Sequence, residues 1–383
     1  MAKRRNPHAP SHDASRCLDA LRRILPAIAA RAPALDVDGA FPAEDVAALG
    51  EAGLLAAPLP PEHGGAGLGT DPAALAEALR LVGRASLPLG RLYEGHVNAL
   101  RLVLRHGDAA QAAAAAADAR DGAFFGVWNT DVPGEILGLE PRAGGIRLQG
   151  RKILCSGAGR VDRALVTARA RPGDLPQMVL VPLPPGERAD LARWTAQGMR
   201  ASATGAVDFT GLDLPATALI GPAGAYEAQP DFSAGAWRFA AVQAGGIEAL
   251  AEALRDHLRR TERGGDPYQA ARLGEVATAA AGARLWVEAA AVRAEAGAED
   301  SVAFVNLARL AVERAALEAL TLVQRSIGLT AFLRPHPAER LSRDLATYLR
   351  QPGPDRALAS AAAHVLAAPG AFGDLWAATG AGR

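Results

Sequence analysis

The late stretch "HPAERLSRDLATYLRQPGPD", residues 336–355, gathers side chains that can move protons: the imidazole of His336 and the carboxylates of Glu339, Asp344 and Asp355. General acid–base chemistry requires such a group within hydrogen-bond reach of the proton it takes. The spacing gives several of these residues structural work instead. Glu339 and Arg343 stand four apart, which predicts an ion pair along one helix face. His336 falls near a helix start, and Asp355, between Pro354 and an alanine-rich run, reads as a helix N-cap. Two earlier segments, "FGVWNTD" at 125–131 and "CSGAG" at 155–159, set hydroxyls among aromatic and glycine residues, and Ser156 by itself reads as a turn serine. Cys17 and Cys155 are isolated, too few and too far apart for a disulfide framework or a zinc cluster.

Helices must carry the first part of the chain. Leu18, Leu21, Leu25 and Ile28 recur at three and four, the pattern of an amphipathic helix over about 15–30. "FPAEDVAALGEAGLLA" repeats it, with Pro42 near the start and Gly53 near the end. The loop "PLPPEHGGAGLG" cannot continue a helix. Helical patterns resume over 73–117 and end in the alanine run 112–117, which reads as a surface helix. Between 122 and 215 the period changes to short segments rich in valine, leucine and aromatics, punctuated by glycine, proline and aspartate. From Asp231 long helical patterns return, at about 231–262, 267–297, 302–325, 336–349 and 355–367. In the third of these, Leu307, Leu310, Leu317 and Leu320 are spaced as one buried stripe. Short links between such helices imply an antiparallel bundle.

The expected fold class is therefore α+β, mainly α. It comprises an N-terminal α-helical domain at 1–121, a middle β-domain at 122–225 and a C-terminal helical bundle at 226–383. With 41 basic and 41 acidic residues, net charge zero and 50% hydrophobic residues, nothing favours nucleic acid or an anionic membrane surface. Arginine supplies all the basic residues except Lys3 and Lys152, a usage to which we attach no functional weight. No uninterrupted apolar span reaches membrane length, and a reducing cytoplasm is the expected compartment. A small molecule is the expected partner.

Four fragments, in order, resemble the acyl-CoA dehydrogenase family: "LGEAGLLAAPLPPEHGGAGLG", "LQGRKILCSGAGRVDRALVTAR", "GMRASATGAVDFTGLDLPATALIG" and "VQRSIGLTAFLRPHPAERLSRD". The resemblance spans about residues 40–367. It implies an N-terminal helical domain, a β-barrel-like middle domain and a C-terminal four-helix bundle. It also implies bound FAD, and a homodimer or dimer of dimers whose neighbouring subunits complete the flavin pocket. By the same resemblance Ser156 stands at the flavin N5 edge, Leu154 replaces a tryptophan wall, and Val127, Trp128, Asn129 and Thr130 form a flavin strip. Arg263, Gln269, Gln324 and Gly328 fall on the pyrophosphate and adenosine side, although the segment around Arg263 is shorter than the family pattern and lacks its phenylalanine.

A dehydrogenase of that family removes an α-proton from an acyl thioester with a glutamate. Counted from the family's two placements, eight residues after Asp344 or immediately before Arg238, the positions hold Pro352 and Trp237. Neither can accept a proton. Asp355 is the nearest replacement carboxylate, with Asp231, Glu135 and His336 as weaker substitutes. Three functions follow. The first is an FAD-dependent oxidoreductase on a CoA- or carrier-linked acyl thioester, with a non-standard base and an electron-transfer partner. The second is a monooxygenase of the same fold, using oxygen and flavin reduced by a flavin-reductase partner, which needs no α-proton base. The third is a non-catalytic homologue that binds flavin or an acyl ligand.

Overall fold

The computed structural model describes residues 12–376. Five helices come first: α1 (His12–Arg31), α2 (Ala43–Glu51), α3 (Pro72–Ala85), α4 (Leu87–His106) and α5 (Ala109–Arg120). Leu18, Leu21, Leu25 and Ile28 of α1 are all buried, as their spacing predicts. The alanine run is more than a surface helix. Asp108 and Gln111 form a reciprocal capping box at the start of α5. Ala115, Ala116 and Ala119 then lie in a core with Leu100, Val103, Phe125 and Leu165. Small side chains let this helix approach the β-region closely.

Ten strands follow: β1 (Phe125–Trp128), β2 (Gly138–Arg142), β3 (Gly145–Gln149), β4 (Arg151–Cys155), β5 (Arg163–Ala168), β6 (Gln177–Pro182), β7 (Ala189–Asp190), β8 (Gly205–Asp208), β9 (Leu212–Pro215) and β10 (Leu219–Ile220). They form three sheets, in the orders β1-β5-β6-β10, β2-β3-β9 and β4-β8-β7. β1 runs parallel to β5, and the remaining pairs are antiparallel. In β4 the register with β8 shifts between Lys152 and Cys155, a bulge that places Leu154 at φ 55.

The last helices are α6 (Asp231–Ala234), α7 (Trp237–Arg260), α8 (Pro267–Glu295), α9 (Ser301–Ile327), α10 (Pro337–Tyr348) and α11 (Pro354–Ala367). Of the leucine stripe expected on α9, Leu320 is buried while Leu307 and Leu310 are only partly so. Leu317 is 45% exposed, whereas Ala308, Val312, Ala316, Ala319 and Val323 are buried. Buried residues of α8 are small as well, Ala279, Ala283, Val287 and Ala290, so much of the close packing is through small side chains while Leu317 stays at the flank.

The described chain separates into two compact units, residues 12–78 with Pro88–Ala228, and Leu79–Leu87 with 229–376. In the second unit, Leu79–Leu87 crosses α7 at bare backbone. A Cβ on Gly245 would lie 2.0 Å from the Arg80 carbonyl oxygen, and one on Gly83 would lie 2.3 Å from that of Val242. Arg80 and Glu248 pair beside the crossing. Among the described residues no single helix is long and apolar enough to cross a membrane.

Candidate functional site

In the first unit, α4, β1 and the turn after β4 enclose a cleft lined by Arg91, Leu92, Gly95, Phe125, Val127, Trp128 and Ser156, among others. His96 fastens two of these elements together. Its Nδ1 accepts from the Phe125 backbone N–H at 3.1 Å, which leaves Nε2 protonated to donate to the Leu55 carbonyl at 2.8 Å. The ring stacks on Phe124, with centroids 5.3 Å apart. Burial pushes its pKa down to about 4, so the imidazole is neutral near pH 7. His96 was not singled out in the sequence, where a lone histidine on a helix gives no signal until the strand beside it is known.

Trp128 is buried, and its indole N–H donates to the Ser156 carbonyl at 2.9 Å. This bond ties the end of β1 to the turn after β4. The Ser156 hydroxyl is half-buried at the cleft, 3.4 Å from the Thr204 hydroxyl. Val127 is partly buried, Thr130 is exposed, and Leu154 is 55% exposed on its bulge. The Asn129 side chain bonds the Thr167 hydroxyl, and its carbonyl accepts from Lys152 Nζ at 3.0 Å. Lys152 is fully buried and also pairs with Asp131, which Arg169 holds from the other side at 3.2 Å. The paired charges and the Thr167 hydroxyl satisfy the ammonium. This network stiffens the segment 129–131 against β4, where Ile153 N–H donates to the Thr130 carbonyl.

Four residues of α4, Arg91, Glu94, Gly95 and Asn98, share one helix face by their spacing. Glu94 holds both the Arg91 guanidinium and the Asn98 amide. A Cβ built on Gly95 meets nothing within 4 Å.

The second unit holds the remaining candidates, in three places. Trp237 opens α7 with its side chain fully buried, and Glu295 accepts from its indole N–H at 3.4 Å and from Arg238 at 2.6 Å. Pro352 lies in the turn between α10 and α11, where its carbonyl accepts from Arg309 at 3.0 Å. The Arg309 guanidinium also sits over the Phe239 ring, and burial pulls its pKa down. Asp355 is not the N-cap. That position belongs to Gly353 at φ 63, and Asp355 sits in the first turn of α11, where its charge complements the helix dipole. Asp231 starts α6, and Glu135, in the first unit, lies 3.9 Å from Arg151.

Arg263 is exposed in the turn between α7 and α8, whereas Gln269 is buried and accepts from the Ser326 hydroxyl at 2.6 Å. Gln324 and Gly328 meet at the end of α9, the Gly328 N–H donating to the Gln324 carbonyl. His336 caps α10 by accepting from Ala338 N–H, and lies 3.3 Å from His257. The Glu339–Arg343 pair forms as its spacing predicts, with both contacts at 2.7 Å.

Family models for the acyl-CoA dehydrogenase N-terminal domain and C-terminal domain match residues 12–122 and 223–364. The chain belongs to the acyl-CoA dehydrogenase family. Within it, the chain is 29% identical over 368 residues to L-evernosamine nitrososynthase of a Micromonospora species, covering 88% of this chain and 86% of that protein. The crystal structure of KijD3 with FMN and dTDP-3-amino-2,3,6-trideoxy-4-keto-3-methyl-D-glucose superposes with a TM-score of 0.79 at 25% identity, over 96% of this chain and 97% of that one. TdsC of a Paenibacillus species, solved with FMN and indole, gives a TM-score of 0.81 at 21% identity over 92% and 97% of the two chains, a likeness of fold. An oxidoreductase that uses a flavin is the class supported by these relatives.

Proposed function

We propose that this family member is a flavin-dependent monooxygenase that oxygenates the nitrogen of an amino sugar. The observation that carries this reading is the absence of a proton acceptor at the two positions where the family places its glutamate. Trp237 is an apolar, buried side chain, and Pro352 offers only a carbonyl that Arg309 engages. Glu295, the carboxylate beside Trp237, is held by Arg238. Desaturation of an acyl thioester requires loss of a C–H proton to a base. An amine brings its own lone pair to the oxygenating agent and makes no such demand. The likeness to a nitrososynthase, and to KijD3 solved with FMN and an amino-sugar nucleotide, supports this reading.

The residues beside the cleft fit a flavin. An isoalloxazine needs an apolar wall against one ring face and hydrogen-bonding groups along its polar edge. Leu154 offers an exposed apolar side chain, and Ser156 and Thr130 offer hydroxyls nearby on the same backbone. Val127, Trp128 and Asn129 hold these groups in place from behind. When bound and reduced, the flavin supplies the electrons that activate oxygen. The protein's part is to orient the amine, keep bulk water away and fix the hydroxyl of Ser156, whose backbone Trp128 locks. We further propose FMN as the bound form, because the buried Gln269 is committed to Ser326 and Arg263 stands in an exposed turn. A flavin reductase is the partner this chemistry requires, and a homodimer is the assembly we propose.

The test is anaerobic and aerobic spectroscopy of the flavin-loaded protein. Acyl-CoA thioesters should leave the flavin absorbance unbleached, whereas NADH, a flavin reductase and a dTDP-amino sugar should give oxygen uptake with an N-oxygenated product. Bleaching by an acyl-CoA under anaerobic conditions would establish the dehydrogenase and overturn this reading.

A further inference from the structure

We propose that Arg309 binds a phosphate of a nucleotide-linked substrate, at the turn where Pro352 stands in place of the family's carboxylate. The inference rests on the oxygenase reading above for the class of substrate, and it names a contact for the part of that substrate remote from the nitrogen. A charge without a counter-charge carries it. Arg309, on α9, lays its guanidinium over the Phe239 ring of α7, 5.1 Å from the centroid, and donates to the Pro352 carbonyl at 3.0 Å. Among the described residues it forms no ion pair. Glu313, four residues along α9, favours its charge from a distance but is engaged by Arg350 at 2.7 Å.

A guanidinium drawn out of water is ordinarily held by a carboxylate, because the hydration it gives up has to be replaced. Burial pulls the pKa of Arg309 down, the direction expected where that replacement is incomplete. One carbonyl and a ring face offset part of the cost, and an oxyanion spanning the planar fork would offset the rest. The turn selects a multiply charged anion. Arg356 folds its guanidinium back over the next residue, 3.2 Å from where a Cβ on Gly353 would stand, and has no hydrogen bond or ion pair to any described residue. Asp355 is exposed and pairs with neither guanidinium. Pro352 is exposed too, so the turn is open to a ligand from solvent. Where a dehydrogenase of this family would supply its own anion, this chain presents cations, and a diphosphate carries the complementary charge.

Calorimetric titration of the full-length protein with inorganic pyrophosphate, dTDP-glucose and thymidine tests the assignment. The unmodified protein should bind both phosphate-bearing probes and prefer dTDP-glucose to thymidine. Arg309→Leu should weaken both about tenfold, the loss of a charge-assisted hydrogen bond, and leave thymidine as it was. Arg309→Lys, which keeps the charge without the fork, should lose less. Arg284→Leu, which removes an exposed cation from α8, should change neither probe. The proposal is overturned if the unmodified protein fails to bind pyrophosphate, if a folded Arg309→Leu protein binds either phosphate-bearing probe unchanged, or if Arg284→Leu weakens them equally. Oxygen uptake with a dTDP-amino sugar is scored separately. Phosphate recognition through Arg309 in a protein that fails to oxygenate amines leaves this inference standing and removes the proposed chemistry. Amine oxygenation without pyrophosphate binding does the reverse.

Discussion

At single residues, the cleft depends on groups whose roles lie in neighbours rather than in substrate. His96 joins α4 to β1 only while neutral, because Nδ1 must accept from Phe125 N–H. Its folded pKa of about 4 lies below the ordinary 6.5, so protons bind preferentially to the unfolded chain. The stabilisation is therefore complete above pH 6.5 and is lost as pH falls toward 4, a difference of roughly 3 kcal/mol. Urea unfolding of the native protein and of His96→Gln checks this. Between pH 7 and 4.5 the native protein should lose more stability than the variant, and parallel curves would contradict the assignment. Little of this was legible beforehand. Ser156 and the 127–130 strip were expected at the flavin only from the family resemblance, and Val127, Trp128 and Ser156 do line one cleft, but His96 becomes meaningful only once α4 is known to lie against β1. The face Arg91, Glu94, Gly95, Asn98 follows from helical spacing, and a search for charges on such faces would have found it. Asp355 shows the opposite failure. A carboxylate after proline reads as a cap, but the left-handed backbone at 353 is one a glycine adopts readily, so the helix begins two residues earlier.

At the level of elements, periodicity located helices better than it located their buried faces. The α1 stripe is buried as read, because that helix packs through leucines. In α9 the same reading holds for Leu320 but not for Leu317, because alanines and valines supply most of the buried face. The three-sheet pairing was legible only as strand-rich segments, because which strands pair depends on contacts far apart in sequence. Two glycines separate close packing from open space. Gly245→Ala forces a methyl group against the Arg80 carbonyl and should cost roughly 3 kcal/mol or more. Gly95→Ala meets no atom and should raise stability by about 0.5–1 kcal/mol through helix propensity. Thermal melts of the two variants should move in opposite directions.

For the molecule as a whole, the acyl-CoA dehydrogenase fold is kept while neither position expected to hold that family's glutamate carries a carboxylate. The helical and strand-rich segments, with the family's motifs, were enough to read the architecture, and the two departures at 237 and 352 were enough to doubt the usual chemistry. The sequence left desaturation, oxygenation by a flavin monooxygenase and a non-catalytic role open, because the choice depends on which side chains face the flavin, and that depends on contacts far apart in sequence. One feature of β4 bears on how such a protein could be recognised in solution. Leu154 keeps a bulky aliphatic side chain on left-handed backbone and turns it to the surface, a placement disfavoured by about 1–2 kcal/mol against glycine. Leu154→Gly should therefore melt at a higher temperature when stripped of ligand, yet gain less from added FMN than the native chain does. A thermal-shift pair, with and without FMN, would register that crossover and make one strained leucine a reporter of whether a flat aromatic ring shelters it.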